Sequence, residues 1–164
     1  MIYYYFGSKE RLYVAVLESA YARIRAAEQY VDVDHLDPVS AIRRLAELTF
    51  DHHESHPDFI RLVTAENVHR ARHMKQHRSL TEMNTPAVDL LERILARGRE
   101  DASIRRAVDA LDVHMLISAF CFFRIANQHT FGAIFGRDLT DPALRARYRK
   151  MVGDVVVDFL TSST

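Results

Sequence analysis

The chain has 164 residues, 48% of them apolar, which suffices for one buried core and is short for two domains. Its 22 Lys and Arg balance 22 Asp and Glu, so it lacks the basic excess of a free-standing nucleic-acid binder. A single cysteine excludes an internal disulfide, and no uninterrupted apolar stretch has membrane-spanning length.

Gly and Pro are scarce, and the apolar runs carry Ala, Leu and Arg rather than an alternating pattern, which predicts an all-α fold of long helices. The chain opens on Ile2-Tyr3-Tyr4-Tyr5-Phe6-Gly7-Ser8-Lys9-Glu10-Arg11-Leu12-Tyr13. An aromatic segment ends at Phe6, Gly7 provides a tight turn, and Ser8 is placed to N-cap the next helix. Leu12, Val16, Leu17, Ala20, Tyr21, Ile24 and Ala27 then recur at three and four residues and predict one amphipathic helix over 8–30. Arg11, Glu18, Arg23, Arg25 and Glu28 fall on its other face.

This joint resembles the junction between the DNA-recognition helix and the fourth helix of tetracycline-repressor-like (TetR) regulators. The order of aliphatic, Tyr run, Phe, small turn residue, Ser, Lys, Glu, any residue and Leu agrees at nearly every position. The resemblance implies that residues 1–7 are the remnant of a recognition helix and turn whose preceding helices are not in this chain. It implies a ligand-binding and dimerisation domain over 8–164, with 8–30 as the connecting helix. It places DNA-backbone contacts on Tyr4, Tyr5 and Lys9, groups that suit phosphate. Tyr3 reads as packing and Phe6 as core. Without base-reading residues, the chain is expected not to bind its operator by itself.

Residues 31–37 show no helical phase and end in Asp37-Pro38, an N-cap followed by Pro at the first helical position. A helix is predicted from there to about 55, burying Ala41, Leu45, Leu48 and Thr49, after which His56-Pro57-Asp58 starts another, with Asp58 as its cap. The helix predicted over 59–77 carries Leu62, Glu66, Arg70 and His73 on a face that passes from apolar to ionisable, a pattern suited to a small-molecule pocket. Leu80, Met83, Val88, Leu91, Ile94 and Leu95 predict a helix over 79–97, with Pro86 marking a kink or late start and Gly98 its end. Residues 99–106 read as a charged loop, in which the family often has Gly where Ala102 or Ser103 stands.

Residues 108–135 predict a helix apolar nearly all round, and 141–160 another with a wide apolar stripe. So much apolar surface calls for cover from a second copy. The resemblance agrees: in the family the last two helices form a four-helix bundle with their symmetry mates, here through Phe131, Phe135, Tyr148, Val152, Val155 and Phe159. The segment His129–Gly136 with Asp138 and Pro142, and His56-Pro57 with Glu66–Arg70, are similar to one TetR subgroup.

Arg124 interrupts the most apolar helix and needs a partner. Glu66 is the first candidate, because the resemblance sets both helices beside one pocket. The pair is either structural or a ligand anchor, with Phe120, Phe123 and Asn127 adjacent. Glu66, His69 and His73 have a spacing that metals accept, weighed against a helix whose histidines are surface and pocket wall. Cys121 reads as a core thiol, and no Gly-x-Ser-x-Gly or Gly-rich phosphate loop points to catalysis. The resulting expectation is a cytoplasmic, homodimeric, ligand-responsive regulator. It would partner operator DNA through its missing helices and bind a small-molecule effector, with no cofactor, resident metal or membrane contact. A ligand-free helical association module and a metal-responsive regulator are the alternatives.

Overall fold

The computed structural model describes residues 6–162, so the expected contacts at Tyr4 and Tyr5 lie outside the described residues. Ser8 is extended and its hydroxyl accepts the Arg11 N–H at 3.1 Å. Gly7 makes the preceding turn at φ +72°, a conformation that suits glycine. Helix α1, Lys9–Gln29, buries Val14, Leu17, Ala20 and Ile24, and with them Arg25 and Glu28. Phe6 is 37% exposed, a correction to its expected core role.

Helix α2, Pro38–Ser55, begins where Asp37 accepts the Ser40 N–H at 2.9 Å. Helix α3, Pro57–Val68, follows without a side-chain cap. Asp58, expected to provide that cap, sits in the first turn and faces Arg23 at 3.5 Å.

The predicted 59–77 helix is broken. Arg70 and Ala71 adopt left-handed φ of 57° and 55°, and the chain restarts as the short α4, Arg72–Gln76, and α5, Arg78–Glu82. Two such non-glycine residues cost on the order of 1–3 kcal/mol each. The Glu66 carbonyl accepts the Ala71 N–H at 2.7 Å, while its carboxylate takes the Met74 N–H at 3.4 Å and His73 Nδ1 at 2.7 Å. Tertiary hydrogen bonding around one buried carboxylate thus overrides the helical period.

Helix α6, Thr85–Glu100, carries Pro86 in its first turn, where no N–H is required, which makes the proline a late start. Gly98 lies inside this helix and does not end it. A Cβ there would stand 2.4 Å from Ile104 Cδ1, because the following loop folds back onto the helix. Ala102 makes that turn at φ +59°.

Helix α7, Ala110–Ala126, is capped by Asp109 and meets α8, Gln128–Phe135, at a 69° bend around Asn127. The single helix expected over 108–135 is therefore two. Among the described residues no single helix is long and apolar enough to cross a membrane. Helix α9, Pro142–Thr161, starts at Asp141, whose carboxylate accepts the Ala143 N–H at 2.8 Å.

The main core lies between α2, α6, α7 and α9, with α9 lying along α2. Tyr148, Val152, Val156 and Leu160 of α9 fill it. Tyr148 and Val152, expected at a dimer seam, are thus buried within their own protomer. Helix α2, rather than a second copy, covers this stripe of α9. Helices α1 and α3 to α5 form the other layer over two smaller clusters, around Phe59, Ile60 and Ile125 and around Val14, Leu17 and Leu80.

Candidate functional site

Between the layers, α1, α2, α3 and α7 enclose a cavity of about 220 Å³. Its apolar wall is Tyr21 and Ile24 of α1, Phe59 and Val63 of α3, and Phe122 of α7. Tyr21 and Phe59 meet edge to face with centroids 5.2 Å apart. The polar lining is Arg25 and Glu28 of α1, Thr49 and His53 of α2, Asn84 before α6, and His114 and Ser118 of α7.

Helical phase sets these groups. Leu17, Tyr21, Ile24 and Glu28 follow one another at three and four residues, so Glu28 continues the stripe that Leu17 begins, and Arg25 stands one turn beyond Tyr21. On α7, His114, Ser118 and Phe122 stand at successive steps of four, so two polar groups and one aromatic share a single line facing the cavity.

Arg25 is 8% exposed and Glu28 8%. Arg25 Nη1 lies 2.8 Å from a Glu28 carboxylate oxygen, yet neither Nη1 nor Nε has a hydrogen-bond acceptor in line. Burial pushes Glu28 up to about 7, with Arg25 opposing the rise. Burial lowers His53 to about 3 and also depresses His114, so both imidazoles are neutral at neutral pH. His52, behind His53 and stacked on His56 at 4.3 Å, is lowered to about 4 by burial and the neighbouring His56. Thr49 donates to the Leu45 carbonyl and Asn84 Nδ2 to the Leu80 carbonyl, which leaves the Asn84 amide oxygen for another donor. The site combines aromatic walls, neutral hydrogen-bonding groups and one poorly satisfied ion pair. Small-molecule pockets in general combine an apolar wall with a few such polar groups.

The cavity adjoins the two helices that the sequence set beside a pocket, here α3 and α7, but α2 forms a wall that was not expected, and the lining is not made by the residues named. Arg124 does not meet Glu66. It pairs with Glu54, donates from Nε to the Leu139 carbonyl at 3.0 Å and covers the Phe50 ring at 4.2 Å. Glu54 is shared with Arg145, and Arg145 and Arg149 both reach Asp51, so these arginines clamp α2 to α7 and α9. Two members of the basic run 145–150, Arg145 and Arg149, thus serve in packing.

Glu66 is 1% exposed and pairs with His73, whose ring packs against Tyr13 at 4.7 Å. Burial favours the neutral acid, but the hydrogen bonds from His73 and the Met74 N–H prevail and hold its carboxyl below the usual range. Glu66 and Arg124 are each engaged by these partners, and neither lines the cavity. Leu62 packs under α1, Arg70 is exposed, and Phe123 is 49% exposed on the outer side of α7. Phe120 packs on the main core, and Asn127 sits at the α7–α8 bend. His69 is exposed, and among the described residues no group of three or more His, Cys, Asp or Glu could hold a metal ion. Cys121 is buried against the Ala46 carbonyl, and burial pushes its thiol up to about 12.

Fold and cavity together describe an all-α domain with a hollow between its two layers. Residues 38–156 match the Tetracyclin repressor-like, C-terminal domain family, and the chain belongs to the TetR-like transcriptional regulators. Among curated proteins it is similar to the HTH-type transcriptional repressor NicS of Pseudomonas putida, with 32% identity over 157 residues. That match covers 96% of this chain and 74% of the relative.

Proposed function

We propose that residues 8–164 are the effector-binding and dimerisation domain of a cytoplasmic, non-enzymatic repressor, whose signal is a small molecule occupying the cavity between α1, α2, α3 and α7. The observation that carries this reading is Arg25, a buried guanidinium whose unaligned donors border that cavity. Burying such a group without full hydrogen bonding costs several kcal/mol, which a binding role explains and a packing role does not.

An effector there touches α1 and α3 together. Glu66 stands one turn beyond Val63 on α3, and its partner His73 leans on Tyr13 in the first half of α1. Displacement of α3 at the cavity therefore reaches the end of α1 nearest the DNA-reading helices. There Lys9 is exposed at the helix start, a position suited to a phosphate contact. A tilt of α1 changes the spacing of two reading heads and releases an operator.

The second copy is seated on the outer face of α7 to α9. Leu111 and Met115 are 60% and 65% exposed, Ile134 and Phe135 72% and 66%, Val155 47% and Phe159 36%. Such a patch marks an association surface, and Phe135, Val155 and Phe159 belong to the seam expected from the sequence. Phe131 is half-buried between Phe123 and Phe135.

The test is a thermal-shift screen of small metabolites, repeated on Ser118→Phe, which fills the cavity, and on Asn127→Ala, which does not touch it. Compounds that stabilise the wild type and Asn127→Ala but not Ser118→Phe support the reading. A screen without hits, or hits indifferent to Ser118→Phe, refutes it.

A further inference from the structure

The ion pair of Arg25 and Glu28 is a shared wall. On its far side lies a second hollow of about 250 Å³, lined by Val31, Val33, Asp34, Pro86, Leu90 and Arg93 and bordered by the same Arg25 and Glu28. We propose that the inner cavity takes a small organic monoanion, a single ring bearing one carboxylate. Arg25 pairs with that carboxylate, and Glu28 is the group it displaces toward the second hollow. This deepens the effector reading above and rests on it.

The charge of the lining selects the ligand. Arg25 is the inner cavity's cation, and its planar fork matches a carboxylate through two parallel hydrogen bonds. Glu28 lies near enough for attraction but does not align with Nε or Nη1, so the fork is engaged without being satisfied. The remaining polar lining, Thr49, His53, Asn84, His114 and Ser118, carries no charge at neutral pH and contributes neutral hydrogen bonds only.

Glu28 is the right group to yield. Its carboxyl is pushed up to about 7, so the cost of neutralising it is small when an anion arrives. Alternatively it turns outward, where Arg93 lines the second hollow. Either movement removes a like charge from the incoming carboxylate.

Size and walls set the rest of the ligand. The cavity is smaller than the range of about 300–1,000 Å³ usual for drug-sized ligands, which limits the occupant to one ring. Tyr21, Phe59 and Phe122 supply faces and edges for that ring to pack against.

The experiment is isothermal titration calorimetry with sodium benzoate, benzamide and benzylamine at pH 7.5, on wild type, Arg25→Gln, Arg25→Lys and Glu28→Gln, with Ser118→Phe to locate the site. Benzoate is expected to bind at least tenfold more tightly than either other probe and to lose binding in Ser118→Phe. Arg25→Gln abolishes benzoate binding. If that variant fails to fold, Arg25→Lys decides, with a loss of several-fold for benzoate and none for benzamide. Glu28→Gln tightens benzoate several-fold by removing its competitor.

Equal or tighter binding of benzamide or benzylamine overturns the anion assignment and leaves the effector cavity standing. So does unchanged benzoate affinity in the Arg25 variants, or in Glu28→Gln. Failure of benzoate together with a metabolite screen empty of hits overturns both.

Discussion

Replacing Glu28 by Gln should expose an acid sensitivity that the wild type conceals. His52 and His53 are buried neutral, with values of about 4 and about 3 against a usual 6.5. Their folded values are depressed, so the unfolded chain takes up protons first, and stability falls as pH drops below 6.5. Between pH 8 and pH 5 each histidine withdraws about 2 kcal/mol. Glu28 has the opposite sign: its value rises from 4.5 to about 7, so the native state takes up its proton first, and stability grows as pH falls from 7 toward 4.5. Over the same interval it returns about 2–3 kcal/mol.

The groups lining the cavities beside Glu28 are Arg25 and Tyr21 on α1, Asp34 in the following loop, His53 on α2, Arg93 on α6 and His114 on α7. The depressed carboxyls Asp37, Glu66, Asp101, Asp138 and Asp154 act below this window. Urea unfolding followed by circular dichroism should therefore show the wild type losing about 1–2 kcal/mol from pH 8 to pH 5 and Glu28→Gln about 4 kcal/mol. Parallel pH profiles for the two proteins would refute the reasoning, because they would mean that Glu28 titrates in the folded protein as it does in the unfolded chain.

Arg124→Met should cost about 2–4 kcal/mol in urea unfolding, from the orphaned Leu139 carbonyl and the lost cation–π contact with Phe50; Glu54 keeps Arg145, which limits the loss. A change under about 0.5 kcal/mol would deny the clamp. Met115→Lys combined with Phe135→Lys should leave helicity intact and convert a dimer to a monomer in light scattering, and an unchanged dimer mass would displace the seam elsewhere. Gly98→Ala should destabilise by about 1–3 kcal/mol through overpacking against Ile104. Adding Ile104→Ala should recover part of that loss, and additive effects would show that the contact is not the cause.

Elements whose signals are local were readable from sequence: the Ser8 and Asp37 caps, Pro38 beside the second of them, and the stripes of α1, α2 and α9. The breaks were not. Arg70 and Ala71 carry no turn signature, and their left-handed turn is imposed by Glu66, whose bonds to His73 and Met74 exist only after the chain has reversed. Asn127 divides an unbroken apolar run by a bend that composition does not announce. Gly98 resembled a helix end, but its role comes from Ile104, outside the helix. Two of the cavity's helices, α3 and α7, were legible through the family resemblance, while α2 was not, and the lining residues were missed for a different reason. Arg25 and Glu28 were assigned to water by their charge although their phase put them on the buried stripe, and His114 and Ser118 were overshadowed by the conspicuous Arg124. Phase was the available signal, and it outranks residue type in a helix that lines a cavity.

Hydrogen exchange read by mass spectrometry, with and without a saturating compound that has passed the Ser118→Phe control, tests the link between cavity and connecting helix most directly. Altered protection is predicted both in the first half of α1 around Tyr13 and in the 66–74 segment, since Glu66 and His73 join them. Changes confined to the cavity lining, with α1 before Ala20 untouched, would contradict it.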